Sequence, residues 1–232
     1  MPEGNFFHYD QAAVDHLARK DKKLAAAMQA IGPVRREVMP DLFQALMHAI
    51  TGQQISMAAQ RTVWGRLCGL LGEVTPQALL AQPQTALQAL GLSARKVDYM
   101  RGIARQAGDG GLDLPGMTAL EDAEVCRRLA ALRGIGVWTA EMLLLFSLQR
   151  PDILSYDDLA IRRGLRMLYR HKEMPRERFE RYRRRFSPYG SLASLYLWAI
   201  AGGALPELDD PAERKKGRSR PAASLKSTVT KD

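Results

Sequence analysis

Apolar residues recur along almost the whole chain at helical spacing. Residues 12–31 repeat them every three or four positions with few β-branched side chains, which predicts one α-helix. Strand–turn–strand patterns do not appear between such segments. We therefore predict an all-α chain of roughly ten short helices. The other predicted helices lie at 41–50, 56–72, 75–82, 93–108, 118–132, 137–146, 158–168, 175–186 and 191–203.

Capping residues predict several of the boundaries. Thr75 followed by Pro76 is typical of an N-cap and a first helical position. Thr118 and Glu121 have the spacing of a capping box, which predicts that a helix begins there. Gly72 follows an apolar run and predicts a helix end.

Residues 132–146, LRGIGVWTAEMLLLF, contain two glycines directly before an apolar helical run. Gly134 and Gly136 allow a sharp reversal of the backbone. The first N–H groups of the following helix lack intrahelical partners, so together with the helix dipole they favour an anion such as phosphate. Thr139 adds a hydroxyl beside the turn. The alternative is a tight helix–helix turn without a ligand.

Charge is distributed unevenly along the 232 residues, whose net charge is +9. Residues 1–160 hold 16 basic and 17 acidic side chains, whereas residues 161–185 hold 11 basic and 3 acidic ones. This local excess favours an anionic polymer as partner, although a solvated arginine-rich helix face would have the same composition. Residues 210–232 are polar, basic and free of aromatic residues, which predicts a disordered tail.

The sequence argues against a metal-cluster protein and against a membrane protein. Two cysteines, Cys68 and Cys126, cannot hold an iron–sulfur cluster or a four-thiolate zinc ion, and we expect free thiols in a reducing compartment. The chain has no apolar run of membrane-spanning length and no secretory signal pattern. We expect no membrane association and no side-chain metal site.

The stretch LRGIGVWTA resembles the helix–hairpin–helix of the HhH-GPD DNA glycosylase superfamily. The branch that it resembles most is bacterial 3-methyladenine DNA glycosylase II. The similarity extends over about 40–203, and three further stretches resemble the family in its own order. They are HAITGQQISMAAQ, LGLSARKVDYMRGIA and SPYGSLASLYLWAIAGG.

The resemblance implies a fold of two helical subdomains with the active-site cleft between them. Within a core at 1–209, one subdomain covers roughly 36–150. The other joins 1–35 to 151–209, which places the arginine-rich stretch beside the hairpin. The implied partner is double-stranded DNA that contains damaged bases.

Base removal breaks an N-glycosidic bond through an oxocarbenium-like sugar, which a nearby carboxylate stabilises. Asp157 and Asp158 are both candidates, and capping of the next helix is the alternative role for the pair. Aligned with the family motif, Asp158 is the catalytic residue and Asp157 the expected N-cap.

Family members that also cut the DNA backbone carry a lysine two positions after the second glycine, as a Schiff-base nucleophile. Trp138 stands at that position, so the resemblance implies a water-using enzyme that leaves an abasic site. Its indole face would attract a cationic alkylated purine. The resemblance places Tyr189, Met142 and Leu159 in the same base pocket; core packing is the alternative for Trp138 and Tyr189.

An enzyme that flips a base fills the gap left in the stack. The resemblance assigns that plug to Gln54, with Gln53 supporting the loop; polar residues on a turn before a helix are the alternative. Ser93, as a helix cap, and Lys96 are candidates for a second phosphate contact. The hairpin carbonyls of Ala130, Leu132 and Ile135 offer a site for Na⁺ or K⁺, and we expect no other cofactor.

Three functions stay open at this stage. The first is a monofunctional glycosylase for alkylated purines such as 3-methyladenine and 7-methylguanine. The second is a glycosylase for deaminated or oxidised bases, and the third is a DNA-binding module without catalysis. We expect a monomer, cytoplasmic and nucleoid-associated in a bacterium or nuclear in a eukaryote.

Overall fold

The structure, a computed structural model, describes residues 5–213. These contain twelve α-helices, one 3₁₀ helix (Pro115–Ala119) and, as their β pairing, an isolated bridge between Phe6 and Glu37. The predicted all-α class is confirmed, and no described helix is long and apolar enough to cross a bilayer. The helices are α1 Gln11–Lys20, α2 Lys22–Ile31, α3 Leu42–Gly52, α4 Met57–Leu71, α5 Pro76–Ala81, α6 Gln84–Ala89, α7 Ala94–Gly108, α8 Asp122–Ala130, α9 Val137–Phe146, α10 Leu159–Tyr169, α11 Arg176–Phe186 and α12 Gly190–Ala201.

The single helix predicted at 12–31 is wrong, because Asp21 divides it into α1 and α2. Asp21 has extended backbone angles (φ −147°, ψ 105°), and its Oδ1 accepts the N–H groups of Lys23 and Leu24. Its Oδ2 accepts a hydrogen bond from Arg185 of α11 at 2.7 Å. An N-cap and a distant ion pair therefore interrupt a continuous apolar pattern.

The capping box predicted at Thr118 and Glu121 is also wrong. Thr118 lies in the 3₁₀ helix, and α8 begins only after Glu121, whose side chain makes no cap hydrogen bond. The other boundary signals are confirmed. Thr75 accepts an N–H group at the start of α5, and Gly72 ends α4 with a φ of +69°. The short helix α6 was not predicted.

The helices pack mainly within two groups. Helices α3 to α9 form one group, and α1 and α2 pack with α10, α11 and α12 in the other. The division into subdomains at 36–150 and at 1–35 with 151–209 stays a prediction. Across the boundary, the ring of Phe146 in α9 stacks on that of Trp198 in α12. The hydrogen bond between Trp138 and Asp158 brings the start of α10 beside α9.

The described chain continues in contact with α10 beyond the predicted start of the tail. Asp210 is 4% exposed, and its carboxylate accepts hydrogen bonds from both Nε and a terminal nitrogen of Arg166. The prediction of a tail from residue 210 is therefore corrected for 210–213, which form a turn on α10. The rest of the predicted tail, 214–232, lies outside the described residues.

Candidate active site

The hairpin between α8 and α9 uses its two glycines differently. Gly134 has a φ of +90°, and a Cβ there would lie 2.3 Å from the Tyr99 ring, so both the backbone and its neighbour require glycine. Gly136 has extended angles and is the N-cap of α9 without a side-chain cap. No atom lies within 4 Å of where its Cβ would be. The first N–H groups of α9, including that of Thr139, are therefore available to an anion.

Asp158 lies at the start of α10, close to the hairpin. Only 6% of it is exposed. Its Oδ1 accepts the N–H of Ile161 at 2.8 Å and the indole N–H of Trp198 at 3.1 Å, and its Oδ2 accepts the indole N–H of Trp138 at 3.0 Å. Three donors compensate for the burial of a negative charge.

The predicted roles of the two aspartates need one correction. Asp158 itself is the N-cap of α10, whereas Asp157, which we expected to be the cap, is exposed. Capping does not exclude catalysis, because the carboxylate that caps α10 also contacts the tryptophan that lines the cleft. The helix N-terminus favours its negative charge.

Trp198 was missed by the sequence analysis. It lies in α12, stacks on Phe146 with ring centroids 5.4 Å apart, and donates its indole N–H to Asp158. In the sequence it belongs to the apolar run SLYLWAIA, which is typical of a buried helix. No local signal distinguishes it from a core residue.

A cleft of about 730 Å³ brings most of the predicted site residues together. It lies between the α3–α4 loop, the start of α7 and the hairpin. Trp138, which is 46% exposed, contributes its ring to the wall while its N–H reaches Asp158. The predicted residues in the lining are Gln53, Gln54, Ser93, Lys96, Gly134, Gly136, Trp138, Thr139 and Met142.

Two predicted pocket residues lie elsewhere. Tyr189 packs edge-to-face on His16, with centroids 5.2 Å apart, and lines a separate cavity of about 190 Å³. Tyr189 is therefore not among the lining residues of this cleft, and Trp198 is the second aromatic residue that contacts the carboxylate. Leu159 is 72% exposed beside Asp158 and does not line the cleft.

The loop between α3 and α4 presents Gln54 to solvent. Gln54 has a φ of +58°, and the side-chain amide of Gln53 donates to the carbonyl of Gly134 at 2.7 Å. Lys96, expected at a phosphate, donates from Nζ to the carbonyl of Thr51 at 2.9 Å, and burial lowers the pKa of its ammonium group. Ser93 caps α7 as predicted.

Part of the arginine-rich stretch lies beside the hairpin, as the resemblance implied. Arg176 and Arg183 of α11 line a cavity of about 280 Å³ together with Val137, the first residue of α9. The guanidinium groups of Arg162 and Arg176 lie 4.9 and 5.0 Å from the centre of the Tyr156 ring. The same cavity is also lined by Glu141, Asp157 and Glu180, and Glu180 pairs with both Arg176 and Arg183, so the local positive charge is offset.

Residues 5–213 contain no group of three or more His, Cys, Asp or Glu side chains arranged to hold a metal ion. In the hairpin, the carbonyl of Leu132 accepts the N–H of Ile135 at 3.0 Å. The Na⁺ or K⁺ site at the carbonyls of Ala130, Leu132 and Ile135 stays a prediction. Cys68 and Cys126 are unpaired, and burial raises the pKa of both thiols.

A helical hairpin with open N–H groups, beside a buried carboxylate and an exposed indole, defines a helix–hairpin–helix protein with the elements of a catalytic site. Residues 47–188 match the family model described as HhH-GPD superfamily base excision DNA repair protein. The match covers more than half of the chain, so the protein belongs to this superfamily.

Two relatives that align with most of this chain are both named for the same activity. DNA-3-methyladenine glycosylase 1 of Schizosaccharomyces pombe is 29% identical over 87% of this chain and 91% of its own length. DNA-3-methyladenine glycosylase 2 of Escherichia coli is 31% identical over 70% of this chain and 58% of its own length.

Solved structures that are similar to this one carry similar names. The crystal structure of DNA-3-methyladenine glycosidase from Bacillus halodurans has a TM-score of 0.78 and 33% identity, and covers 88% of this chain and 95% of that one. The S. pombe 3-methyladenine DNA glycosylase in complex with abasic DNA has a TM-score of 0.72 and 29% identity, covering 82% and 96% of the two chains.

Proposed function

We propose that the protein is a monofunctional DNA glycosylase that excises alkylated purines from double-stranded DNA in base excision repair. The observation that carries this proposal is the position of Asp158. Its carboxylate is buried, held by three N–H donors, and bonded to the tryptophan that lines the cleft beside the hairpin. A module that only binds phosphate has no need of such a carboxylate.

Each part of the site has a role in this reaction. The open N–H groups of α9 bind a phosphate of the damaged strand, which positions the flipped nucleotide near the start of α10. The carboxylate of Asp158 stabilises the positive charge that develops on the sugar and orients the attacking water. Gln54 fills the space that the base leaves.

The half-exposed face of Trp138 supports alkylated purines as substrates. Alkylation at N3 or N7 makes a purine cationic, and an indole face attracts a cation. Such a base is also a good leaving group. The relatives named above carry 3-methyladenine in their names. A preference for deaminated or oxidised bases, which are neutral, would use the same aspartate but not this attraction.

The absence of a lysine at position 138 supports hydrolysis without strand cleavage. Indole cannot form an imine. Lys96 lines the cleft, but its ammonium group donates to the carbonyl of Thr51. Borohydride treatment with lesion-containing DNA should therefore trap no covalent complex. A trapped complex would show lyase chemistry and contradict this part of the proposal.

The test is release of bases from duplexes that contain 7-methylguanine, hypoxanthine or an oxidised purine. Asp158→Asn keeps the side-chain size and removes the charge, so excision should fall at least about a hundredfold while DNA binding is kept. Asp157→Asn is the matched control, because Asp157 is exposed next to the same helix start. Release of hypoxanthine but of no alkylated base, or near-normal turnover by Asp158→Asn, would overturn the proposal.

A further inference from the structure

The segment that leads to Asp158 is irregular but partly buried. Residues 147–158 connect α9 to α10 without forming a helix. Within this segment Ile153, Leu154 and Ser155 are buried, and Ser155 is 0% exposed. A buried backbone outside a helix finds its hydrogen-bond partners in other elements. The elements that supply those partners also decide where Asp158 lies.

Helix α12 holds the first half of the segment. The N–H of Ile153 donates to Oγ of Ser191 at 2.9 Å, and the hydroxyl of Ser194 donates to the carbonyl of Ile153 at 2.8 Å. Both serines are fully buried. Ile153 is thus fixed at both of its backbone polar groups, five residues before Asp158.

Helix α9 holds the second half of the segment at two points. The hydroxyl of Ser155 donates to Oε2 of Glu141, and the indole N–H of Trp138 donates to Oδ2 of Asp158 at 3.0 Å. Trp138 and Glu141 are three positions apart, so they are neighbours on one face of α9. Ser155 and Asp158 are also three positions apart, in the opposite direction along the chain. The end of the segment therefore runs antiparallel to the first turns of α9, with a side-chain hydrogen bond at each end.

Glu141 is the charged residue of an otherwise uncharged helix, VWTAEMLLLF, and it is half-buried. Burial raises the pKa of its carboxyl group, whereas the hydrogen bond from Ser155 and the charge of Arg183 lower it. A carboxylate that is removed from water costs free energy unless hydrogen bonds compensate. The hydroxyl of Ser155 supplies such a bond, and it connects Glu141 to the segment that ends at Asp158.

We propose that Glu141, acting through Ser155, is a positioning residue for Asp158. The inference rests on the proposed function and explains how its carboxylate is kept aligned with the sugar. The donors around Asp158 orient its carboxylate only while the backbone before it stays in place, and Ser155 fixes that backbone to α9. Losing this contact leaves the N–H groups of α9 open to phosphate but lets Asp158 shift against the flipped nucleotide, and a small displacement of a catalytic group slows the reaction.

Three substitutions test this contact. Ser155→Ala removes the hydroxyl, Glu141→Met removes the acceptor, and Glu141→Gln keeps an acceptor. Single-turnover excision of 7-methylguanine should fall about tenfold in Ser155→Ala and Glu141→Met, near the lower end for a hydrogen bond to a charged group, but only about threefold or less in Glu141→Gln. Affinity for an abasic duplex should stay within about twofold of wild type, because the phosphate contacts are unchanged. Equal losses in Glu141→Gln and Glu141→Met would overturn the proposal, as would no loss in Ser155→Ala.

Glu124→Met is the matched control. Glu124 is also half-buried, and its carboxylate accepts hydrogen bonds from Arg127 and Arg128 of α8, away from the cleft lining. This variant should excise 7-methylguanine at the wild-type rate even where its melting temperature is lower. A loss of rate equal to that of Glu141→Met would show a general effect of removing a carboxylate and would contradict the proposal. Melting curves identify the temperature below which each variant is folded, and all rates are compared there.

A second measurement does not depend on base release. A duplex with a pyrrolidine in place of one sugar carries a positive charge near the position of the sugar cation, and a tetrahydrofuran duplex is its neutral counterpart. Wild type should bind the charged duplex at least about tenfold more tightly than the neutral one, because its carboxylate is complementary to the transition state. Ser155→Ala should lose most of this preference and keep its affinity for the neutral duplex.

The binding experiment separates the two proposals. An equal preference in wild type and Ser155→Ala would contradict the role of Glu141. A wild type without any preference would overturn the role of Asp158 and this inference with it. A wild type that has the preference, loses it in Ser155→Ala and yet releases no alkylated base would count against the proposed substrates and support the positioning of Asp158.

Discussion

Trp138 performs two functions in the proposed mechanism, and two substitutions separate them. Its N–H donates to Oδ2 of Asp158 at 3.0 Å, and its ring lines the cleft with 46% of the residue exposed. Trp138→Phe keeps an aromatic face and removes the donor. Trp138→Leu removes both. The difference between the two variants therefore isolates the contribution of the aromatic face.

The expected loss of rate for each variant follows from which contacts it removes. A hydrogen bond to a charged group contributes about 1.5–3 kcal/mol, and 1.36 kcal/mol corresponds to about tenfold in rate. Asp158 keeps its other two donors, Ile161 and Trp198, so Trp138→Phe should reach only the lower end, about tenfold, on every substrate. Trp138→Leu also loses a cation–π contact of about 2 kcal/mol. Its excision rate on cationic bases, and only on those, should therefore fall a further thirtyfold or so.

The assay is single-turnover excision of 7-methylguanine and of hypoxanthine by wild type and both variants, with a melting curve for each protein. Because Trp138 is half-exposed, neither substitution should lower the melting temperature by more than a few degrees. A Trp138→Phe rate equal to wild type would refute the role of the indole N–H. Equal losses of Trp138→Leu on the two bases would refute selection by charge and remove the main argument for alkylated purines.

Two further predictions concern the hairpin and the ion pair between Arg166 and Asp210. Gly136→Asp places a favoured N-cap residue in open space, so the melting temperature should stay the same or rise. Affinity for duplexes of any sequence should fall at least about tenfold. Unchanged affinity would show that the hairpin has only a structural role. Burial opposes ionisation of Asp210, but hydrogen bonds from Arg166 and from the N–H of Ala212 lower its pKa below 3.8. The stability that this ion pair contributes is present above pH 3.8 and is lost as the pH falls through the lowered pKa of Asp210. The difference in melting temperature between wild type and Arg166→Met should therefore shrink as the pH falls below 3.8. A difference that stays constant would contradict the pairing.

Features carried by neighbouring residues could be predicted from the sequence. The hairpin depends on two glycines and the helix that follows them, and Asp158 stands directly before a helix. Gln53 and Gln54 occupy one short loop. The local pattern predicts where these features lie, whereas the choice of Asp158 over Asp157 and the roles of Gln53 and Gln54 are what the family resemblance implies.

Features made by distant residues could not be predicted in the same way. Trp198 lies 40 positions from Asp158, and Lys96 lies 45 positions from Thr51. Asp21 looks like one polar position on a long helix until Arg185, 164 positions away, is seen to pair with it. Tyr189 was placed by its position in a motif, whereas packing on another helix directs its ring elsewhere. Periodicity predicts the face that a residue occupies, but not what lies opposite that face.

Helix α9 explains how these distant groups come together at one carboxylate. Its first turn carries the open N–H groups and Trp138, and Phe146 at its end stacks on Trp198 of the other helix group. Ten residues span about 15 Å of rigid helix, so one element sets the spacing between the phosphate site and both indoles. Helix α9 packs on α8 and α3 of its own group, and its residues Trp138 and Phe146 reach the other group. The orientation of Asp158 therefore depends on how the two groups are packed together.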